Sequence, residues 1–373
     1  MIHVGMDLHK SFSEVAAIDD QGNILDQRRL FNDDPAAIVR YFRSLPGEVT
    51  VTVEATRNWY WLYELLETEV AKIKLADSRQ VLWIAKARLK NDKIDALKLA
   101  ELERANLLPE AYIPPRPIRD NRELLRYRIC RVHDRTTTKN RIHGLLDKLG
   151  ITHGFTDLFG KAGMAFLKQV PMRDVYRVEL DGYLRTLEHL AKEIYVITRL
   201  IEKTVRADRR CDLLVTIPGI GVLTANLLLN EIGDIKRFPS ARHLCSYGGI
   251  VPRLRQSADH IWQGRISKEG NRYIRWAIIE SAQKAPSKDD ELRKIYARIA
   301  FRRGKQKARV AVARRLLIAV WHVWTYEEPY NLQISQSRSL SKPGGDAGPE
   351  RPRVRLGSSD SNDNVSRRGR IEA

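Results

Sequence analysis

Short apolar runs separated by polar turns fill the first hundred positions, and their spacing predicts strands alternating with helices. Ile2 to Leu8, Glu14 to Ile18 and Ile24 to Phe31 read as three strands rich in β-branched residues. Asp19-Asp20-Gln21-Gly22-Asn23 supplies the turn between the last two. Asp33-Asp34-Pro35 opens a helix that reaches about Leu45, with an acid as cap and proline in the first turn. A fourth strand, Val49 to Glu54, precedes an aromatic-rich helix over about Trp59 to Glu69. Strand Lys72 to Ala76, a helix around Arg79 to Arg88 and a helix opening at Asp92 complete the segment.

Farther along, the apolar period lengthens. Arg119 to Gly150 carries Leu125, Ile129, Val132, Ile142, Leu146 and Leu149 on one helical face, and Leu180, Leu184, Leu187, Leu190, Ile194, Ile197 and Ile201 follow at steps of three and four. The two long helices fit either an intrachain hairpin or pairing between subunits. From Asp212 the texture becomes that of a compact, mostly helical unit. Two more helices, broken near Gly304, carry Arg302, Arg303, Lys305, Lys307, Arg309, Arg314 and Arg315. After Tyr330 no aromatic residue occurs, and residues 331–373 read as a disordered basic tail.

Four carboxylates stand at telling places in this pattern. Asp7 and Glu54 close the first and fourth strands, which sets two acids at one sheet edge, where α/β proteins place their chemistry. Asp92 and Asp95, three apart, share a helix face. Each alone has an ordinary explanation: a solvated strand end, a helix cap, an acid in a first turn. Together they would repel without a hard cation, and oxygen ligands suit magnesium, with manganese as the alternative, in the manner of two-metal phosphoryl transfer. No organic cofactor is indicated. The order βββαβα with further helix is that of the ribonuclease-H-like fold, whose acids occupy these positions. An actin-like sugar kinase shares the order but needs a glycine-rich turn after the first strand, and Leu8-His9-Lys10-Ser11-Phe12-Ser13 has none.

The net charge of +19 changes the choice of partner. It argues for a polyanion, and nucleic acid fits better than membrane because no basic stretch has a broad apolar face. The apolar run Leu316 to Trp324 is too short to span a bilayer. Cys130, Cys211 and Cys245 lie far apart, so neither a disulfide framework nor a zinc site is expected, and a cytoplasmic location fits. Arg122, Arg126, Arg131 and Arg135 form a stripe on the first long helix that we expect to face phosphates. Pro218-Gly219-Ile220-Gly221 resembles a helix-hairpin-helix turn, in which Gly219 and Gly221 would let backbone amides approach a phosphate. Arg253, Arg255, Arg265, Lys268 and Arg272 surround a basic loop holding Ser257. The expected organisation is a nuclease domain over 1–108, a stiff proline-rich linker over 109–118, coiled-coil helices over 119–207 and a helical domain over 208–330.

Three blocks, Gly5-Met6-Asp7-Leu8-His9-Lys10, Val53-Glu54-Ala55-Thr56 and Asn91-Asp92-Lys93-Ile94-Asp95-Ala96, resemble those of the DEDD transposases of the insertion-sequence 110 family, relatives of the pilin-gene-inverting recombinases. Ile217-Pro218-Gly219-Ile220-Gly221, Tyr247-Gly248-Gly249-Ile250-Val251-Pro252-Arg253 and the block from Ser267 to Arg275 resemble that family's C-terminal transposase domain. The resemblance implies a RuvC-like nuclease domain in which Asp7, Glu54, Asp92 and Asp95 bind magnesium. It implies Ser257 as a covalent nucleophile in DNA strand exchange. It implies a homo-oligomer, a dimer or a tetramer on DNA, acting on donor and target duplexes with a noncoding bridge RNA. Two positions depart from the pattern: Arg57 and Ala258 stand where many members carry glycine. The alternatives are a hydrolytic RuvC-like junction endonuclease and a non-catalytic protein that bridges nucleic acids.

Overall fold

The computed structural model describes residues 1–56, 58–78, 80–81, 91–205, 208–257 and 260–331. For residues 204–205, 254–257, 260, 261 and 263 it describes the backbone alone. The helix expected around Arg79 to Arg88 falls mostly outside these residues, and so does the tail from 332.

The N-terminal strands are β1 (Ile2–Leu8), β2 (Phe12–Ile18), β3 (Ile24–Phe31), β4 (Val49–Glu54) and β5 (Lys72–Ala76). With β6 (Glu110–Ala111) they form one sheet in the order β3-β2-β1-β4-β5-β6. The first three run antiparallel, β4 and β5 lie parallel to β1, and β6 pairs antiparallel at the edge. This mixed α/β sheet is ribonuclease-H-like, of the RuvC kind. Helix α1 (Pro35–Ser44) starts where Asp34 accepts the Ala37 amide at 2.9 Å. Its Ile38, Tyr41 and Phe42, and Trp59, Leu62 and Leu66 of α2 (Trp59–Leu66), join Val4, Met6 and Leu8 in one apolar core.

The other face of β1 carries His3, Gly5 and Asp7, and it meets α3 (Asp92–Arg104). Contact is direct because Gly5 has no side chain. A Cβ there would stand 1.9 Å from the Ala96 carbonyl oxygen and 2.6 Å from the Ala100 amide. The stretch expected as a stiff proline-rich linker is tied to the sheet at one end and opens a helix at the other. The Asp77 amide donates to the Pro109 carbonyl at 2.8 Å, β6 joins the sheet, and α4 (Arg116–Lys148) already begins at Arg116. Prolines suit both ends of this path, since an edge strand and a helix start tolerate a missing N–H.

Helices α4 and α6 (Asp174–Val205) pair as a hairpin within the chain, with short α5 (Lys161–Gln169) packed beneath. Leu180, Leu184 and Leu187 meet Ile142, Leu145 and Leu146 there, and the Arg128 guanidinium donates to the Thr198 hydroxyl at 2.7 Å. By its internal contacts the chain forms two units, 1–207 with 226–234, and 208–225 with the remainder.

The second unit holds α7 (Arg209–Val215), the first residues of α8 (Val222–Ile232), whose part from Asn226 on belongs to the first unit, and then α9 (Ala241–Tyr247), α10 (Arg272–Lys284), α11 (Asp290–Arg303) and α12 (Lys305–Tyr326). Helix α12 is the hub. Val312, Leu316, Leu317 and Val320 are all but inaccessible, and α7, α9, α10 and α11 pack around it. The apolar run Leu316 to Trp324 is therefore a core helix, and no helix among the described residues is long and apolar enough to cross a membrane.

Gly5→Ala should lower stability by about 1–3 kcal/mol, the usual cost of overpacking, because backbone rather than a yielding side chain blocks the new methyl. Denaturant midpoints of the two proteins check this; an unchanged midpoint would mean that α3 can shift freely.

Candidate metal and nucleic-acid sites

Asp7 is the last same-face residue of β1, and Glu54 ends the adjacent parallel β4, one position beyond the pair Met6–Val53. At the start of α3, Asn91 is the cap: its side chain accepts the Lys93 amide at 3.1 Å. Asp92 is thereby released from capping and its carboxylate is free to turn toward β1. Between them stands His9, whose Nε2 lies 3.2 Å from Asp7 Oδ2 and 3.2 Å from Asp92 Oδ2. Its ring stacks on Phe12 with centroids 4.7 Å apart. Its carbonyl accepts the side-chain amides of Asn32 at 2.9 Å and Asn58 at 3.0 Å. The loop after β1 is thus pinned from two sides.

One ligand atom each from Asp7, His9 and Asp92 falls within 4.8 Å of the others. Neighbouring ligands of an octahedral magnesium ion, each about 2.1 Å from it, stand about 3 Å apart, so these donors fit a divalent cation. Charge repulsion marks the same place. Burial first, then Asp92 and Glu54, push the Asp7 carboxyl above its ordinary value, while His9 opposes them. Glu54 therefore belongs to the same electrostatic cluster. Asp95 sits one turn along α3 and pairs with Lys98 Nζ at 3.3 Å. His9 was not singled out in the sequence, although residues i and i+2 share a strand face and Asp7-Leu8-His9 meets that rule.

The nucleic-acid expectations divide. Arg122 and Arg126 are corrected: both are committed within the first unit. Arg122 donates to the carbonyls of Asn230 at 2.7 Å and Glu231 at 2.9 Å, at the end of α8. Arg126 makes a two-pronged pair with the fully buried Glu231 carboxylate at 2.8 and 2.9 Å. Helix-terminal carbonyls and a buried carboxylate claim these guanidiniums because neither could be left unpaired. Arg131 pairs with Asp134 at 2.9 Å, and Arg135 is half-buried beside Arg128. The Gly219 expectation also changes. Gly219 has φ +83°, and a Cβ there would lie 2.5 Å from the Ser281 carbonyl oxygen, so close packing onto α10 accounts for it. Gly221 is exposed with open space around it.

The basic loop is in fact a hairpin of β7 (Pro252–Ser257) and β8 (His260–Ile266). It makes Ser257 and His260 register partners; the side chains of Ser257 and Arg255 lie outside the described residues. Arg253 donates to the Ser267 carbonyl at 3.1 Å. Arg265, Lys268 and Arg272 are exposed, and the Arg272 guanidinium stacks on Tyr273.

Two family models match the chain. One, described as a transposase of the DEDD type in IS110 elements, matches residues 4–151. The other, described as the transposase IS116/IS110/IS902 family, matches residues 211–297. The chain is similar to a probable family 20 transposase of Pseudomonas aeruginosa, 27% identical over 344 residues, 88% of this chain and 98% of that protein. It is similar to the transposase for insertion sequence element IS1111A of Coxiella burnetii, 25% identical over 346 residues, 88% of this chain and 90% of that one. The pilin gene-inverting protein of Moraxella bovis is 35% identical over 148 residues, 38% of this chain and 44% of its own length.

The raised Asp7 value has a thermodynamic sign. An acid whose value is higher in the fold costs stability when ionised; the cost is absent below the unfolded value of 3.8 and complete above the folded one. Asp7→Asn should therefore raise the melting temperature in EDTA at pH 7, with the advantage fading as pH falls toward 4. A magnesium-induced rise should occur in the wild type alone. Thermal scans with and without the metal test both, and a destabilised Asp7→Asn protein in EDTA would refute the repulsion.

Proposed function

This chain belongs to the IS110 family of transposases, enzymes of phosphoryl transfer on DNA, and we propose that it cuts and rejoins DNA through a covalent phosphoserine link. The observation that carries the reading is the convergence of Asp7, His9 and Asp92, with Glu54 coupled electrostatically to Asp7. Asp7, Glu54, Asp92 and Asp95 hold the divalent cation, magnesium with manganese as the alternative, and His9 completes the donor set. When bound, that cation supplies positive charge at the scissile phosphate and at the departing oxygen. Acidic residues alone would repel the DNA strand, which explains why a phosphoryl-transfer site built from them depends on the metal.

Ser257 is the nucleophile. Its Oγ gives up a proton to solvent and bonds to phosphorus, while the bond from phosphorus to the deoxyribose oxygen breaks and that oxygen takes up a proton to leave as a strand-end hydroxyl. A strand-end hydroxyl then attacks the phosphoserine, the phosphorus–serine bond breaks and the serine hydroxyl is restored. Each step exchanges one phosphoester for another, so rejoining consumes no ATP. The basic residues Arg253, Arg265, Lys268 and Arg272, all exposed, suit phosphate contacts. Family membership supports a homo-oligomer on two duplexes and guidance by a noncoding RNA that pairs with both.

Asp7→Ala and Asp95→Ala should each abolish strand cleavage and leave DNA binding within about threefold, since binding rests on cations elsewhere. In the same assay Ser257→Ala should eliminate the covalent protein–DNA adduct seen on a denaturing gel. Cleavage by the acid variants would sink the metal assignment; cleavage without any adduct in the wild type would favour hydrolysis by water. For the guide, one discrete structured transcript should survive a high-salt wash of the purified protein, because salt strips unspecific phosphate contacts steeply. Recovery of only heterogeneous RNA, or none, would remove the guide from this reading.

A further inference from the structure

From Leu292 to Tyr326 the chain has ten lysines and arginines and no acid. Arg293 and Lys294 are paired with Asp290 and Glu291. Arg298, Arg302, Arg303, Lys305 and Lys307 are exposed and make no ion pair among the described residues. In their midst stands Phe301, 93% exposed, the most accessible large apolar side chain among the described residues.

The helix explains the exposure without explaining the residue. Helix α11 buries Leu292 and Ile295. Phe301 lies nine residues beyond Leu292, which at about 100° per residue places it half a turn from the buried face. The helix ends at Gly304, whose φ of +85° starts α12 at once, so the seven residues from Phe301 to Lys307 form an exposed tip. An aromatic ring costs more in water than any cation that could replace it, so nothing in the fold of this unit calls for phenylalanine here. Its helical neighbours Ala297 and Arg298 are a small and a charged residue, both exposed. A protein-docking surface needs a contiguous apolar patch of several hundred Å². A lone ring amid unpaired cations has a different complement: a polyanion with a flat apolar face to offer, that is, a nucleic-acid strand with an unstacked base.

We infer that Phe301 stacks on or wedges against a base of DNA taken out of its helical stack, while Arg302, Arg303, Lys305 and Lys307 hold the flanking phosphates. The inference rests on the transposase reading for its choice of DNA, because strands that are cut and exchanged must leave the duplex. It adds a contact at the α11–α12 tip, beyond the segment 211–297 matched by the family model.

The test uses the full chain and two DNA probes of one sequence, a continuous duplex and a duplex with a short single-stranded gap, with 2-aminopurine placed in the gap. Phe301→Ala should weaken binding to the gapped probe about tenfold and relieve quenching of the 2-aminopurine, with little change on the continuous duplex. It should leave the salt dependence of binding unchanged, since no charge is removed. Phe301→Trp should restore both affinity and quenching. Arg302→Ala with Arg303→Ala should instead weaken both probes and lower the salt slope by about 2. Because the ring packs against nothing in its own unit, the alanine variant should melt with the wild type. Equal binding of the gapped probe by Phe301→Ala would overturn the inference while leaving the metal-dependent cleavage reading intact. Loss on a single-stranded RNA probe but not on gapped DNA would overturn the choice of DNA. A wild type that binds neither DNA probe would overturn the parent reading as well.

Discussion

The approach of α3 to β1 is the constraint on which the N-terminal unit depends. Three same-face residues of β1 meet three levels of that helix: His3 contacts Glu103, Gly5 lies under Ala96 and Ala100, and Asp7 meets the Asp92 end through His9. From His3 to Asp7 the strand covers about 13 Å. From Asp92 to Glu103 the helix covers about 16 Å. The two elements therefore run past each other nearly in step. Gly5 at the middle level sets their separation, and the ends follow. At the far end Lys74 and Glu103 form a buried ion pair, joined by the His3 ring, in a polar network that also reaches Asp20 and Glu110. Such a network favours one register, because any slip would leave buried charges unpaired.

That register turns an electrostatic liability into a site. A carboxylate at the end of a buried strand is already desolvated, and Glu54 and Asp92 add like charge to it. The fold tolerates this because the surrounding structure is otherwise satisfied. Asn91 takes over capping, Lys98 neutralises Asp95, and two asparagines fix the carbonyl of His9. With each neighbour held, the excess negative charge has nowhere to relax except onto a cation or a proton. Preorganised repulsion of this kind makes a binding site out of residues that would be indifferent surface acids on a looser frame.

How much of this could be read from the chain varies with the range of the interaction. The strands, their acids and the start of α3 were legible because they rest on local rules: period two along Ile2 to Leu8, an acidic cap before Pro35, and asparagine before a helical run. His9 obeys the same local rule, but nothing local distinguishes a ligand histidine from a solvated one in a turn. The β7–β8 hairpin was hidden because arginines occupy strand positions where the usual signal is apolar, leaving a sequence that looks like a basic loop. Gly219 looked like a phosphate cradle because its demand for space is set by Ser281, which a short motif does not contain. Arg122 and Arg126 were misread for a similar reason: their partner Glu231 is more than a hundred residues away.

Those two arginines also show why a net charge of +19 does not by itself locate a nucleic-acid surface. A guanidinium moved out of water must recover its hydration from fixed acceptors. Arg122 and Arg126 do so from helix-end carbonyls and a buried carboxylate, which uses up their capacity to hold phosphate. A cation that serves recognition must stay solvated and unpaired until its partner arrives, and by that criterion the N-terminal part of α4 contributes little. Arg265, Lys268 and Arg272 beside the hairpin, and the cations of the α11–α12 tip, satisfy it among the described residues, whereas Arg253 is paired with Glu269 at 4.0 Å. The hairpin offers Trp262 at 58% exposure, but Phe301 at the tip is the most accessible ring among the described residues and stands amid unpaired cations, combining attraction for the backbone with a surface that a base can use.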